Sequence, residues 1–302
     1  MTSEPQIFDS RPCTLGEGLL WHPTREQLFW FDIINFKLLS RQRGQAFTWS
    51  FDRHVSAAAW VDHDHLLIAS ENGLSRFNLE TGQETMLCEI EADNPLTRSN
   101  DGRADPWGGF WMGTMSKAGE MGQGTLYRWV PGHAGNSGDL RILAENLSTP
   151  NAICFDKSRA CAYYADTKTR IIWRQPVDPE TGWPVGNRTV FVNLSATDTQ
   201  PEHKPDGAVV DVEGCLWNAQ WGSARVARYS PEGKFLEAID FPTGHTSCPA
   251  FGGADMSTLY ATTARQKLPQ ERPDWKETAG QTFQVESNSA GWAGQPEPQM
   301  IL

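Results

Sequence analysis

Helical periodicity is missing from this sequence. None of its 302 residues lies in a long segment with apolar side chains at i, i+3, i+4 and i+7, which argues against bundles and alternating α/β folds. Positive charge is also scarce. Lys and Arg number 26 against 37 Asp and Glu, for a net charge of −11, so nucleic acid and anionic membranes are not expected partners. No apolar run is long enough to cross a bilayer. Met1 to Phe8 carry neither the basic patch nor the apolar stretch of a signal peptide. A soluble, cytoplasmic protein is expected, monomeric or at most a weak homo-oligomer. The six cysteines, Cys13, Cys88, Cys154, Cys161, Cys215 and Cys248, form no Cys-x-x-Cys pair, and several lie in apolar runs. Buried free thiols are expected, not a disulfide framework. The seven histidines (His22, His54, His63, His65, His133, His203 and His245) show no His-x-His or His-Glu-x-x-His spacing, which disfavours an imidazole zinc site. Gly-x-Ser-x-Gly is absent too, so no serine nucleophile is expected, and Ser223 reads as a turn residue.

What the chain does contain is short apolar runs rich in Trp, Phe, Val and Ile, broken by turn clusters. His65 to Ser70 and Leu74 to Asn78, joined through Asn72-Gly73, read as a hairpin. Such hairpins recur. Asp206-Gly-Ala-Val-Val-Asp211 followed by Gly214-Cys-Leu-Trp217 has the spacing of Asn100-Asp-Gly-Arg-Ala-Asp105 followed by Gly108-Gly-Phe-Trp111. Related units begin at Glu17, Ala57, Asn151 and Ser247. From residue 17 to 57, 100, 151, 206 and 247 the intervals are 40, 43, 51, 55 and 41 residues. Six units of about four short strands predict an all-β, six-bladed β-propeller, over an irregular β-sandwich. It is expected to be one domain spanning residues 1–302, closed by pairing Gln6–Asp9 with Gln281–Val285. The Pro-rich stretch at Gln295 reads as a tail.

The first strand of each blade in a propeller lines the channel, so Glu17, Ala57, Asn100, Asn151, Asp206 and Ser247 are expected to ring one axis. Four of them carry a carboxylate or amide oxygen. Converging oxygen donors suit a divalent cation; the competing reading is that each residue caps its own turn.

The chain resembles the gluconolactonase / senescence-marker-protein (regucalcin) family of six-bladed propellers. The resemblance rests on Leu15-Gly-Glu17-Gly-Leu-Leu-Trp21, Arg98-Ser-Asn100-Asp-Gly102, Trp111-Met-Gly-Thr-Met115, Asn151, Pro205-Asp206-Gly207, Leu216-Trp217 and Ser247-Cys-Pro-Ala-Phe-Gly-Gly253. It implies a divalent metal held by Glu17, Asn151 and Asp206. It also implies substrate contacts from Arg98, Asn100 and Glu120, the last preceding Gly124-Thr-Leu-Tyr127. Leu19 departs from the family, where many members have Pro.

Three oxygen ligands leave positions open for water and substrate. The resemblance therefore implies metal-dependent hydrolysis of a sugar-acid lactone (glucono-, galactono-, xylono- or arabinolactone), with Asp206 as ligand and general base. Ca²⁺, Zn²⁺, Mn²⁺, Mg²⁺ and Fe²⁺ all suit such a site. Trp107, Trp221 and Phe251 are candidate pocket walls. The alternatives are a non-catalytic calcium-binding propeller and a hydrolase of other esters or phosphotriesters.

Overall fold

The computed structural model describes residues 4–132, 138–196, 202–287 and 291–302; His133 lies outside them. Among these residues, 24 strands form six four-stranded antiparallel sheets, and the helical content is two short 3₁₀ turns. Five sheets are meanders of consecutive strands. The sixth joins Thr246–Gly252, Thr258–Thr263 and Thr282–Glu286 to Gln6–Asp9 from the other end of the chain. The innermost strands, Gly16–His22, Val55–Asp62, Thr97–Ala104, Pro150–Asp156, Lys204–Val210 and Thr246–Gly252, touch one another in a closed ring. This is the expected six-bladed propeller, with the expected closure.

Burial follows position in the blade. Every residue of Gly16–His22, Pro150–Asp156 and Thr246–Gly252 is buried, whereas the outer strand Gln45–Ser50 alternates between exposed and half-buried. Inner strands are covered on both faces, so their apolar residues run together, while outer strands keep a solvated face. An Asp just after the inner strand ties each of two blades together. Asp105 accepts the Trp111 indole N–H (3.1 Å), the Gly109 amide and the Arg128 guanidinium. Asp211 does the same with Trp217, Cys215 and Arg228. All six cysteines are free, and all but Cys88 are buried.

Each inner strand carries a one-residue bulge near its start. Glu17 pairs with Phe31 and Leu20 with Phe29; Ser99 pairs with Thr114 and Gly102 with Met112. The same step occurs after Val55, Asn151, Pro205 and Thr246. These bulges correct the common register expected from the repeat spacing. Glu17 and Asn151 are the last paired residues before their bulges, whereas Asn100, Asp206 and Ser247 lie inside theirs. Spacing from one blade to the next cannot show where the extra residue sits.

Residues 291–302 do not hang free. They cross the channel end remote from the bulges, with Trp292 and Met300 buried. The Met300 amide bonds the Trp60 carbonyl (2.9 Å), the Trp60 indole bonds the Glu297 carbonyl (2.8 Å), and Glu297 forms an ion pair with part-buried Arg103.

Candidate active site at the channel mouth

Two buried turns aim the first pair of site residues. Asp32 accepts the amides of Thr14 and Leu15, and Asp166 accepts those of Ser148 and Thr149. Both clamps lie just ahead of the strands that present Glu17 and Asn151. After each, the chain passes through a left-handed residue, Gly18 at φ 59° and Ala152 at φ 57°. An L-residue rarely adopts that conformation, and bulges commonly re-aim a side chain beside a functional site.

Glu17, Arg98, Asn100, Asn151 and Asp206 line one cavity of about 570 Å³ at this mouth. That lies within the roughly 300–1,000 Å³ of small-molecule sites. A hydrogen-bond chain crosses three blades at its floor. Arg98 Nη1 donates to Asn100 Oδ1 (3.0 Å), and Asn100 Nδ2 donates to Asn151 Oδ1 (2.9 Å). Asn151 Nδ2 donates to Thr167 Oγ1 (2.8 Å), which donates to the Pro205 carbonyl (2.7 Å). Because the Thr167 proton is used on Pro205, its oxygen can only accept from Asn151. That fixes the Asn151 amide with its oxygen turned toward Asn100.

The floor holds more negative charge than its surroundings neutralise. Burial, then the Asp101 charge, pushes Glu17 up to about 8 against the Gly18 amide and Arg98. Asp206 is raised well above the carboxylate range, first by burial and then by Glu17 and Asp101. Burial lowers Arg98 to about 10 against the pull of Glu17, Glu71 and Asp206. Two buried carboxylates and an oriented amide oxygen, facing one guanidinium, form a donor set suited to a hard divalent cation, which would relieve the repulsion.

Asp101 and Thr167 are site residues that sequence reasoning missed. Asp101 is buried and accepts the Gly102 amide (2.8 Å) and, across the blade boundary, the Ile153 amide (2.8 Å). Several expected neighbours are elsewhere. Glu120 is exposed and does not line the cavity, although Gly119 does. Ala57 and Ser247 are buried away from it, Ser247 donating to the Gly16 carbonyl. Of the candidate walls only Trp221 lines it; Trp107 packs on Phe155, and Phe251 on Trp217 and Trp292. His203 and His245 sit behind the wall, each lowered to about 4 chiefly by burial, His203 bonded to Ser223 and His245 stacked on Trp221. A separate cluster, Asp211, Glu213 and Cys215, brings its ligand atoms within 4.8 Å. The Asp211 oxygens there are already taken by two amides, an indole and Arg228, so the cluster is an internal ion network.

Residues 15–265 match the SMP-30/Gluconolactonase/LRE-like region, and the chain belongs to that family. It is 34% identical over 288 residues to an L-arabinolactonase of Azospirillum brasilense, covering 93% of this chain and 91% of that one. It is 32% identical over 290 residues to a 6-deoxy-6-sulfogluconolactonase of Pseudomonas putida, covering 94% of each. The crystal structure of a calcium-binding protein, regucalcin, from Agrobacterium tumefaciens superposes with a TM-score of 0.90 at 34% identity, covering 100% of this chain and 98% of that one.

Proposed function

We propose that this chain is a hydrolase that opens the ring ester of a sugar-acid lactone with water. One observation carries the reading: Glu17, Asn151 and Asp206 meet Arg98 and Asn100 in one cavity, in a chain whose relatives include named lactonases. Glu17, Asn151 and Asp206 are the residues that would hold a divalent cation. Such an ion supplies polarisation of the ester carbonyl and a lowered pKa for water. An all-oxygen set accepts Ca²⁺, Mn²⁺, Mg²⁺, Fe²⁺ or Zn²⁺.

The chain's own groups do the rest. Asp206 accepts a proton from the attacking water as its oxygen adds to the ester carbon. The ring C–O bond then breaks, and the released oxygen takes that proton back from Asp206 to become the hydroxyl of the open acid. Thr167 keeps the Asn151 oxygen oriented through the cycle. Nη1 of Arg98 is used on the Ser99 carbonyl and Asn100, while its other N–H groups have no protein partner among the described residues. They are placed to steady the negative charge that develops on the carbonyl oxygen. Asn100 holds the edge of the substrate site, and Glu120, on the exposed segment after Gly119, would reach a sugar hydroxyl only from the rim.

A second reading, a calcium-binding propeller without turnover, draws on the calcium-binding regucalcin neighbour. The deciding experiment strips the protein with chelator and restores ions one at a time against glucono-, galactono-, xylono- and arabinolactone, following proton release. Turnover that returns with an ion supports the lactonase. Ion binding with no ring opening on any lactone supports the second reading.

A further inference from the structure

The lip of the cavity differs in charge from its floor and from the protein as a whole. Lys168, Arg170, Lys204 and Lys267 line the mouth of a chain whose net charge is −11. Arg170 is partly offset by Glu202 at 3.6 Å, which also lines the cavity. The three lysines have no carboxylate within 4.0 Å among the described residues, whereas Lys117, which does not line the cavity, is paired with Glu71.

These lysines come from three blades and are held on one arc. The bond from Thr167 Oγ1 to the Pro205 carbonyl ties together the residues next to Lys168 and Lys204. Lys204 acts through space on His245, whose Nδ1 bonds the carbonyl of Gln266, the residue before Lys267. Lys267 itself is in the left-handed region, φ 54°. Of the other lining residues, Leu15, Met115 and Gly119 carry no charge.

An uncharged lactone would leave three ammonium groups unused, and an anion at the floor would meet Glu17 and Asp206. We propose that the site selects lactones carrying a negative charge at the end remote from the ring ester, so that the ester faces the floor and the anion meets Lys168, Lys204 and Lys267. This rests on the lactonase reading and refines it. Sulfonate, phosphate and carboxylate share the required chemistry. Lysine is a point charge without the planar fork of arginine, so it imposes little geometry on the anion it meets. A cationic lip also raises the local concentration of anions, an effect that weakens with salt.

The test compares kcat/KM for a hexonolactone with its 6-phosphate, 6-sulfonate and 6-carboxylate analogues, using cation-loaded protein at low ionic strength. At least one anionic form should be favoured by ~10-fold or more. The preference should shrink toward unity in 0.5 M salt (roughly a 4 Å screening length) and in Lys204→Ser/Lys267→Ser, whose fold is checked by its thermal melt. Equal turnover of charged and uncharged lactones overturns the anion proposal and leaves the lactonase reading standing. If no lactone is opened, the lactonase reading fails, and calorimetry with the open-chain aldonates decides this proposal separately. Tighter binding of the 6-phosphate or 6-sulfonate acid than of the plain acid upholds it, and equal binding overturns it.

Discussion

Asp206 is assigned two tasks, and one atom separates them. Asp206→Asn keeps an oxygen donor and nearly the same shape but cannot take a proton at neutral pH. The kcat should fall by ~10²–10⁴-fold and stay low at saturating cation. If saturating cation restores the full rate, Asp206 is not the base. Thr167 has a different role, since it touches neither cation nor substrate in this reading and acts by orienting Asn151. Thr167→Val removes the acceptor for Asn151 Nδ2 and the donor to Pro205. Cation affinity should drop roughly 10–100-fold, while kcat at saturating cation changes little. Unchanged affinity, read by ion titration, would show that Asn151 needs no such support. Glu17, Asn100, Asn151 and Asp206 were legible from the sequence because side-chain oxygens recur where inner strands begin, whereas Arg98 was legible only through the family resemblance. Asp101 and Thr167 were not. Asp101 looks like part of an Asn-Asp-Gly turn, and its partner, the Ile153 amide, lies in the next blade. Contacts between blades leave no periodic trace in the chain.

Strands, hairpins and the six-fold recurrence were legible in the same way, but the bulges were not. A bulge adds one residue to one strand, and the unequal loops of this chain hide that residue in the blade-to-blade spacing. Glycine marks only one of the two left-handed positions, since Ala152 adopts the same φ as Gly18. The two therefore make a matched test. A Cβ on Gly18 would lie 2.2 Å from the Ser56 carbonyl oxygen in the next blade, a backbone atom that cannot move aside cheaply. Gly18→Ala should cost about 3 kcal/mol or more and disturb Glu17. Ala152→Gly relieves a left-handed Cβ, worth roughly 1–2 kcal/mol, but loses a buried methyl and stiffness, together about 1.5 kcal/mol, so the terms nearly cancel. Urea unfolding of the pair should show one large loss and one small change. A small loss in both would mean that the bulge tolerates a side chain at either position.

At the scale of the whole molecule, the strand pairing of the two ends was legible from two complementary segments, while the strap of residues 291–302 was not. Its prolines read as a tail, and nothing local shows that Glu297 meets Arg103 194 residues away. Glu297→Gln should be destabilising by ~3–5 kcal/mol because it leaves a largely buried guanidinium without its counter-charge. Adding Arg103→Met should recover much of that loss; if the double variant is no better than the single one, the ion pair is not what the strap contributes. The other whole-molecule consequence is linkage between the floor carboxylates and pH. Glu17 is raised to about 8 and Asp206 is also raised, so without a cation the folded state holds protons that the unfolded chain has released. Their contribution is full below the ordinary carboxylate range and is lost as pH rises through the folded values. Buried His22, His203 and His245 have the opposite sign. Each is lowered to about 4, so its contribution is present above about 6.5 and lost as pH falls toward 4. The histidine effect is the same with and without a cation, whereas a bound cation requires the carboxylates to be ionised. The gap in Tm between cation-loaded and chelator-treated protein should therefore widen steadily from pH 5 to pH 8. Melts in matched ionic strength measure it, and a gap that stays constant over that range would show that the floor carboxylates do not hold the ion.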